Sequence, residues 1–252
     1  MTEIIYNNEI LQKIAAEMNL SETAFIYINN ERDLKTENSF KLRWFTPTNE
    51  VSLCGHATLA SAALLFYEIE IESDEIFFNT LSGTLKAQKA DKGVKLDFPE
   101  NKPKKIDPPE ALLETLGITD YVDSAYSEEL TDLLIELRDE KAVNNVFPDY
   151  ERMKKLDLAM SIRGVIITAE GNNGYDFVSR FFAPWVGINE DPVTGSAHTI
   201  LTPYWAEKLG KEEMRAFQIS ERGGGLVVKL LKSNRVEISG NSILVLKGRL
   251  FF

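Results

Sequence analysis

The chain is short of the residues that make metal clasps and disulfides. One cysteine, Cys54, and two histidines, His56 and His198, are all that its 252 residues contain. A single cysteine makes no internal disulfide. No CxxC or HxxxH spacing exists either, so no metal site is expected. That cysteine usage fits a reducing, cytoplasmic setting. Basic charge is also scarce: 28 Lys and Arg stand against 39 Asp and Glu, a formal net charge of −11. Such a surface repels phosphate backbones, and no basic, aromatic-interleaved stretch offsets it, so no nucleic-acid partner is expected. Long apolar runs are missing. The longest, around Leu59–Phe66, is far too short to span a bilayer, so no membrane partner is expected. The N-terminus lacks a basic region followed by an apolar one, and no signal peptide is expected.

What is present is core material. Hydrophobic residues make up 44% of the chain, enough for one large or two small domains. The stretch "NNEILQKIAAEMN" sets Ile10, Leu11, Ile14, Ala15 and Met18 on one helical face, with Asn7 or Asn8 as cap. Thr23–Ile28 reads as a strand, and "FKLRWFTP" as a strand stopped by Pro47. Gly55–Tyr67 is apolar on nearly every side, the pattern of a helix buried all round. Strands are expected at Ile76–Phe78, Gly83–Gln88, Val94–Phe98, Thr131–Leu137 and Gly164–Ala169, and helices near Glu110–Leu116 and Asp149–Leu156. Pro99–Pro109 carries four prolines without apolar periodicity and reads as a linker. The expected division is therefore a lobe over 1–105 and a second over 106–252, whose last strand crosses to the first.

The second half repeats the first. "SRFFAP" echoes "LRWFTP", "NEDPVTGSAHT" echoes "NEVSLCGHATL", and "GSAHTILTPYWAEKLG" gives a second apolar helix. "ISERGGGLVVKL" and "RVEISG" echo "NTLSGTLKAQ" and "GVKLDF", all at offsets between 137 and 142. Five echoes in one order imply two copies of one supersecondary unit. The expected fold is α/β (α+β), two pseudo-symmetric lobes, each a curved mixed sheet around a central helix. Gly55 and Gly195 open the two helices. A helix start offers unpaired N–H groups and partial positive charge, a place for an anion. If the lobes face each other, both starts point into one cleft suited to a small carboxylate.

Three stretches carry a family resemblance. "MNLSETAF", "FTPTNEVSLCGHATLASA" and "RFFAPWVGINEDPVTGSAH" resemble the signature segments of the PhzF (phenazine biosynthesis-like) family. That family shares its fold with diaminopimelate epimerase, and the resemblance runs from about Ile10 to the C-terminus. It implies that Glu22 is the acid/base residue, with His56, Asp191 and Ser196 beside it and Gly55 and Gly195 supplying backbone donors. A carboxyl in a partly dry cleft has its pKa raised, so it takes and returns a proton. The implied activity is a cofactor-independent isomerase that moves a proton on a small carboxylate-bearing metabolite, in a possible homodimer. The alternative is a non-catalytic ligand- or protein-binding member of the same family.

Two residues, Cys54 and His198, and the N-terminal segment stand apart from these assignments. A two-thiol racemase is excluded by count, and Cys54 reads as a packing residue. His198 reads as facing the core or the lobe interface and stays outside the site. Members of the family begin with a strand and a "GNP"-containing loop, whereas here Met1–Tyr6 leads almost directly into the first helix. The first lobe is therefore expected to lack a strand.

Overall fold

Asn7 caps the first helix by accepting from the backbone N–H of Ile10 at 3.0 Å. Helix α1 (Asn8–Met18) then buries Leu11 and Ala15, four residues apart, against Phe45. The computed structural model describes residues 7–28, 34–91 and 93–250. Met1–Tyr6, on which the expectation of a lacking strand rests, lies outside them. The chain divides into two compact units. One runs as far as Asp97 and resumes at Ser239; the other is Phe98–Ile238.

In the first unit, β1 (Thr23–Tyr27) pairs antiparallel with β2 (Ser39–Phe45), and β3 (Glu50–Val51) folds back on the end of β2. Helix α2 (Gly55–Ala63) follows and packs on β1. Then β4 (Glu75–Thr80) runs parallel to β2, and β5 (Gly83–Lys89) and β6 (Val94–Pro99) extend the sheet antiparallel. The apolar helix expected at Gly55–Tyr67 changes pitch at its end. Leu64–Ile69 is a π-helical turn that stops at Glu70 in the left-handed region.

The second unit begins with β7 (Lys104–Lys105), α3 (Glu110–Leu116), β8 (Asp123–Ser127), β9 (Asp132–Glu136), α4 (Glu140–Asn144) and α5 (Tyr150–Met153). It goes on with β10 (Gly164–Glu170), β11 (Phe177–Phe182), α6 (Gly195–Leu209), β12 (Glu213–Gln218), β13 (Gly224–Leu231) and β14 (Arg235–Gly240). Strands β10 and β11 are antiparallel, β11 and β12 parallel, β12 and β13 antiparallel. That is the order and sense of β1, β2, β4 and β5. The echoes in sequence are thus a repeat of topology, with a helix inserted after the second strand each time. The architecture is mixed α+β, and β9, parallel to β10, joins β7 and β8 to the second sheet.

Strand β9 is buried throughout and β10 nearly so, as expected of strands covered on both faces. Leu133, Ile135, Val165 and Ile167 pack with Leu112, Leu116, Val143 and Met153 from the short helices. Helix α6 is buried on almost every side. Its buried hydroxyls bond within the helix: Thr199 to the Ser196 carbonyl, Thr202 to that of His198. Pro203, inside α6, has no N–H for the Thr199 carbonyl. The backbone N–H of Asn101 takes that carbonyl at 3.2 Å, and the Asn101 amide bonds Thr199 Oγ1 at 2.9 Å. The proline-rich stretch is therefore pinned within the second unit rather than loose. No helix among the described residues is long and apolar enough to cross a membrane.

Candidate functional site

Each unit uses one device to hold the loop ahead of its helix. An arginine on the second strand grips a glutamate of the segment that leads to the helix through both ends of the carboxylate. In the first unit, Arg43 Nε and Nη2 lie 2.7 Å from Glu50 Oε1 and Oε2. In the second, Arg180 Nε and Nη2 lie 2.7 and 3.0 Å from the two oxygens of Glu190. Each guanidinium also covers a phenylalanine two residues on, Phe45 at 5.0 Å and Phe182 at 4.7 Å. The loop and helix start are thereby fixed in the same way twice.

At the start of α2, the structure brings Glu22 and His56 together. Glu22 lies in the short connection between α1 and β1, and His56 is the second residue of α2. Glu22 Oε2 is 3.1 Å from His56 Nε2, and the two side chains are 9% and 20% exposed. Ser21 Oγ stands 3.5 Å from the same nitrogen. Cys54 Sγ lies 3.8 Å from His56 Nδ1, next to Gly55.

The electrostatics correct one expectation. Burial does push the Glu22 carboxyl up, but the hydrogen bond and charge of His56 outweigh it, helped by Ser21 and Cys54, and the carboxyl ends below its ordinary range. Burial pulls the His56 imidazole down; Cys54 and Glu22 more than reverse this and hold it well above its ordinary value. Burial pushes the Cys54 thiol up, against the pull of His56. The directions describe a carboxylate–imidazolium pair, with burial opposing loss of the Cys54 proton beside it. Glu22, Cys54 and His56 also place one donor atom each within 4.8 Å of one another. Local spacing motifs do not reveal this trio, because Glu22 is far from the other two in sequence. A metal there would have to displace the protons of His56 and Cys54.

At the start of α6, Asp191 is buried and accepts a hydrogen bond from Thr194 Oγ1. Gln218, fully buried on β12, ties the loop from below. Its Nε2 donates to the Asp191 carbonyl at 2.7 Å, and its Oε1 accepts from the Thr194 N–H at 2.8 Å. Gly224 leaves room for the loop, since a Cβ there would lie 2.2 Å from Val193 Cγ2. Gly195 and Ser196 open the helix, and Ser196 Oγ accepts from Arg163 Nη2 at 3.1 Å. His198 is fully buried; its Nδ1–H donates to the Thr194 carbonyl at 2.7 Å, and burial pulls its pKa down to about 4. It is a neutral core residue.

Sequence reasoning missed Arg163, Asp132 and Gln218. The repeat itself carried the signal for Arg163, because it sits just ahead of β10 as Ser21 and Glu22 sit just ahead of β1.

Comparison with known proteins adds the following. The family model described as "Phenazine biosynthesis-like protein" matches residues 4–248. A phenazine biosynthesis-like domain-containing protein of Bos taurus is 46% identical, over 97% of this chain and 89% of that protein. An uncharacterized isomerase of Halalkalibacterium halodurans is 43% identical, over 95% and 86%. A crystal structure of a PhzF-family phenazine biosynthesis protein from Enterococcus faecalis aligns with a TM-score of 0.89 at 40% identity, over 100% and 90%. A predicted epimerase from Pseudomonas aeruginosa, 19% identical, shares the fold at a TM-score of 0.67.

Proposed function

The chain belongs to the phenazine biosynthesis-like family, and from that premise we propose that it is a cofactor-independent isomerase in which Glu22 moves a proton on a small carboxylate-bearing metabolite. Relatives named as isomerases and a fold neighbour named as an epimerase support an isomerase- or epimerase-type role. The observation that carries the finer reading is the Glu22 carboxylate, ionised and 3.1 Å from His56 at a helix start.

The chemistry follows from that state. A carboxylate is the form of Glu22 that accepts a proton. It takes the proton from a carbon next to the substrate's carbonyl or carboxylate, leaving an enolate-like anion. The imidazolium of His56 opposes that negative charge while Glu22 is protonated. Glu22 then delivers a proton to another carbon, a deuteron where its carboxyl has exchanged with D2O, and the enzyme ends as it began. One acid/base residue is enough. The repeat supplies no carboxylate at the position matching Glu22, because register places Gly164 there: Thr23 pairs with Phe45 as Val165 pairs with Phe182. Asp191, Gly195 and Ser196 are assigned to holding the substrate's polar groups.

A screen of small carboxylic acids in D2O tests this reading. A substrate exchanges a carbon-bound hydrogen for deuterium, read by mass spectrometry. Acids that raise the melting temperature while none gains deuterium would instead favour the binding-protein alternative.

A further inference from the structure

Superposing the pairing of the two hairpins finds a second polar group placed like Ser21. Since Thr23 corresponds to Val165, Ser21 corresponds to Arg163. The contacts agree. Ser21 approaches His56, the second residue of α2, at 3.5 Å; Arg163 donates to Ser196, the second residue of α6, at 3.1 Å. The Glu22 position itself is closed in the second unit: a Cβ on Gly164 would lie 2.3 Å from Phe181 Cζ. What the second unit presents at its helix start is therefore a guanidinium.

That guanidinium is held ready. Arg163 Nε is 3.0 Å from Asp132 Oδ1 and 3.2 Å from the Leu130 carbonyl, and Nη2 reaches Asp132 Oδ2. Asp132 is fully buried and meets the guanidinium through both carboxylate oxygens. The ring of Phe181 lies 5.5 Å below. Burial pushes Asp132 up to about 6 against the pull of Arg163, which shows how much this anchor relies on its arginine. The other end of the side chain is free. Nη1 makes no hydrogen bond among the described residues, and the side chain is 36% exposed. A guanidinium with one edge anchored and one end open is a receptor for a planar carboxylate.

We propose that Arg163, with Ser196 Oγ, binds a carboxylate at the start of α6 and so restricts the ligands of this unit to small organic acid anions. The assignment rests on the isomerase reading for its reaction but not for its binding. Arg163 is a specificity residue; Asp132 positions it.

The probes are malonate, a small dianion, and malonamide, its neutral counterpart. In the wild-type chain, malonate protects Arg163 from p-hydroxyphenylglyoxal, malonamide does not, and the exposed Arg138 reacts either way. Peptide mass spectrometry reads the labelling and needs no variant. Arg163→Lys keeps the charge but loses the fork, and weakens malonate about tenfold or more in a chain whose cooperative melt shows that it is still folded. No malonate binding by the wild type, no protection of Arg163, or unchanged affinity in Arg163→Lys would each overturn the proposal. The two readings fail separately. Lost affinity in Arg163→Lys with normal deuterium exchange in Glu22→Gln leaves Arg163 standing and removes the isomerase mechanism. The reverse pattern keeps the mechanism and removes Arg163.

Discussion

Arg180 holds Glu190 through two parallel hydrogen bonds of 2.7 and 3.0 Å, with both side chains mostly buried. Arg43 and Glu50 make the same pair in the first unit. Removing one partner strands a charge. Arg180→Ala is expected to cost about 3 kcal/mol, as broken buried pairs do. The Arg180→Ala/Glu190→Ala double variant recovers part of that loss. Urea melts of the single and double variants give the coupling, which should exceed ~1 kcal/mol.

His56 and His198 are the only histidines, so a proton NMR titration resolves both. His56 titrates well above 6.5 and His198 at about 4. Glu22→Gln brings His56 back toward 6.5, because its carboxylate partner is gone. A His56 that titrates normally in the wild type would contradict the ion pair.

The pair also sets a pH window for stability. The folded His56 pKa is raised, so its contribution is full below 6.5 and fades as pH rises through the folded value. The folded Glu22 pKa is lowered, so its contribution is full above 4.5 and fades as pH falls through the folded value. Both hold in full between 4.5 and 6.5. His56→Gln should lower the melting temperature most within that window.

His198 acts in the opposite sense. Its folded pKa is depressed to about 4, so the unfolded chain binds its proton first as pH falls below 6.5. The loss reaches about 3 kcal/mol by pH 4. His198→Gln should remove this acid sensitivity, measured by urea melts at pH 7 and pH 4.

Much of this fold could be read from residue order. The spacing of Leu11 and Ala15, with Asn7 ahead of them, marks α1. The shared Arg-x-Phe and Asn-Glu of the two halves marked the repeat, and they proved to be the matching Arg–Glu braces. Helix α3 falls at Glu110–Leu116 as its apolar pattern implies. Other elements left little trace. Strand β8, "DSAYS", has no apolar alternation and forms because β9 offers an edge to pair with. Helix α4 is five residues long, too short for periodicity to register. The site was legible only as residue types. Glu22 was implied by family resemblance, and the direction of its pKa was misjudged because burial is visible in composition while a histidine 34 positions away is not. Arg163 was legible only through the repeat, because its partners, Asp132 and Ser196, are each more than thirty residues distant.

The most direct test uses the acid that the wild-type chain labels in D2O. Glu22→Gln removes the only group assigned to carry the proton, and deuterium incorporation should fall by about 10²–10⁴-fold while the melting temperature shows a folded chain. Wild-type rates of incorporation in a folded Glu22→Gln chain would contradict the account.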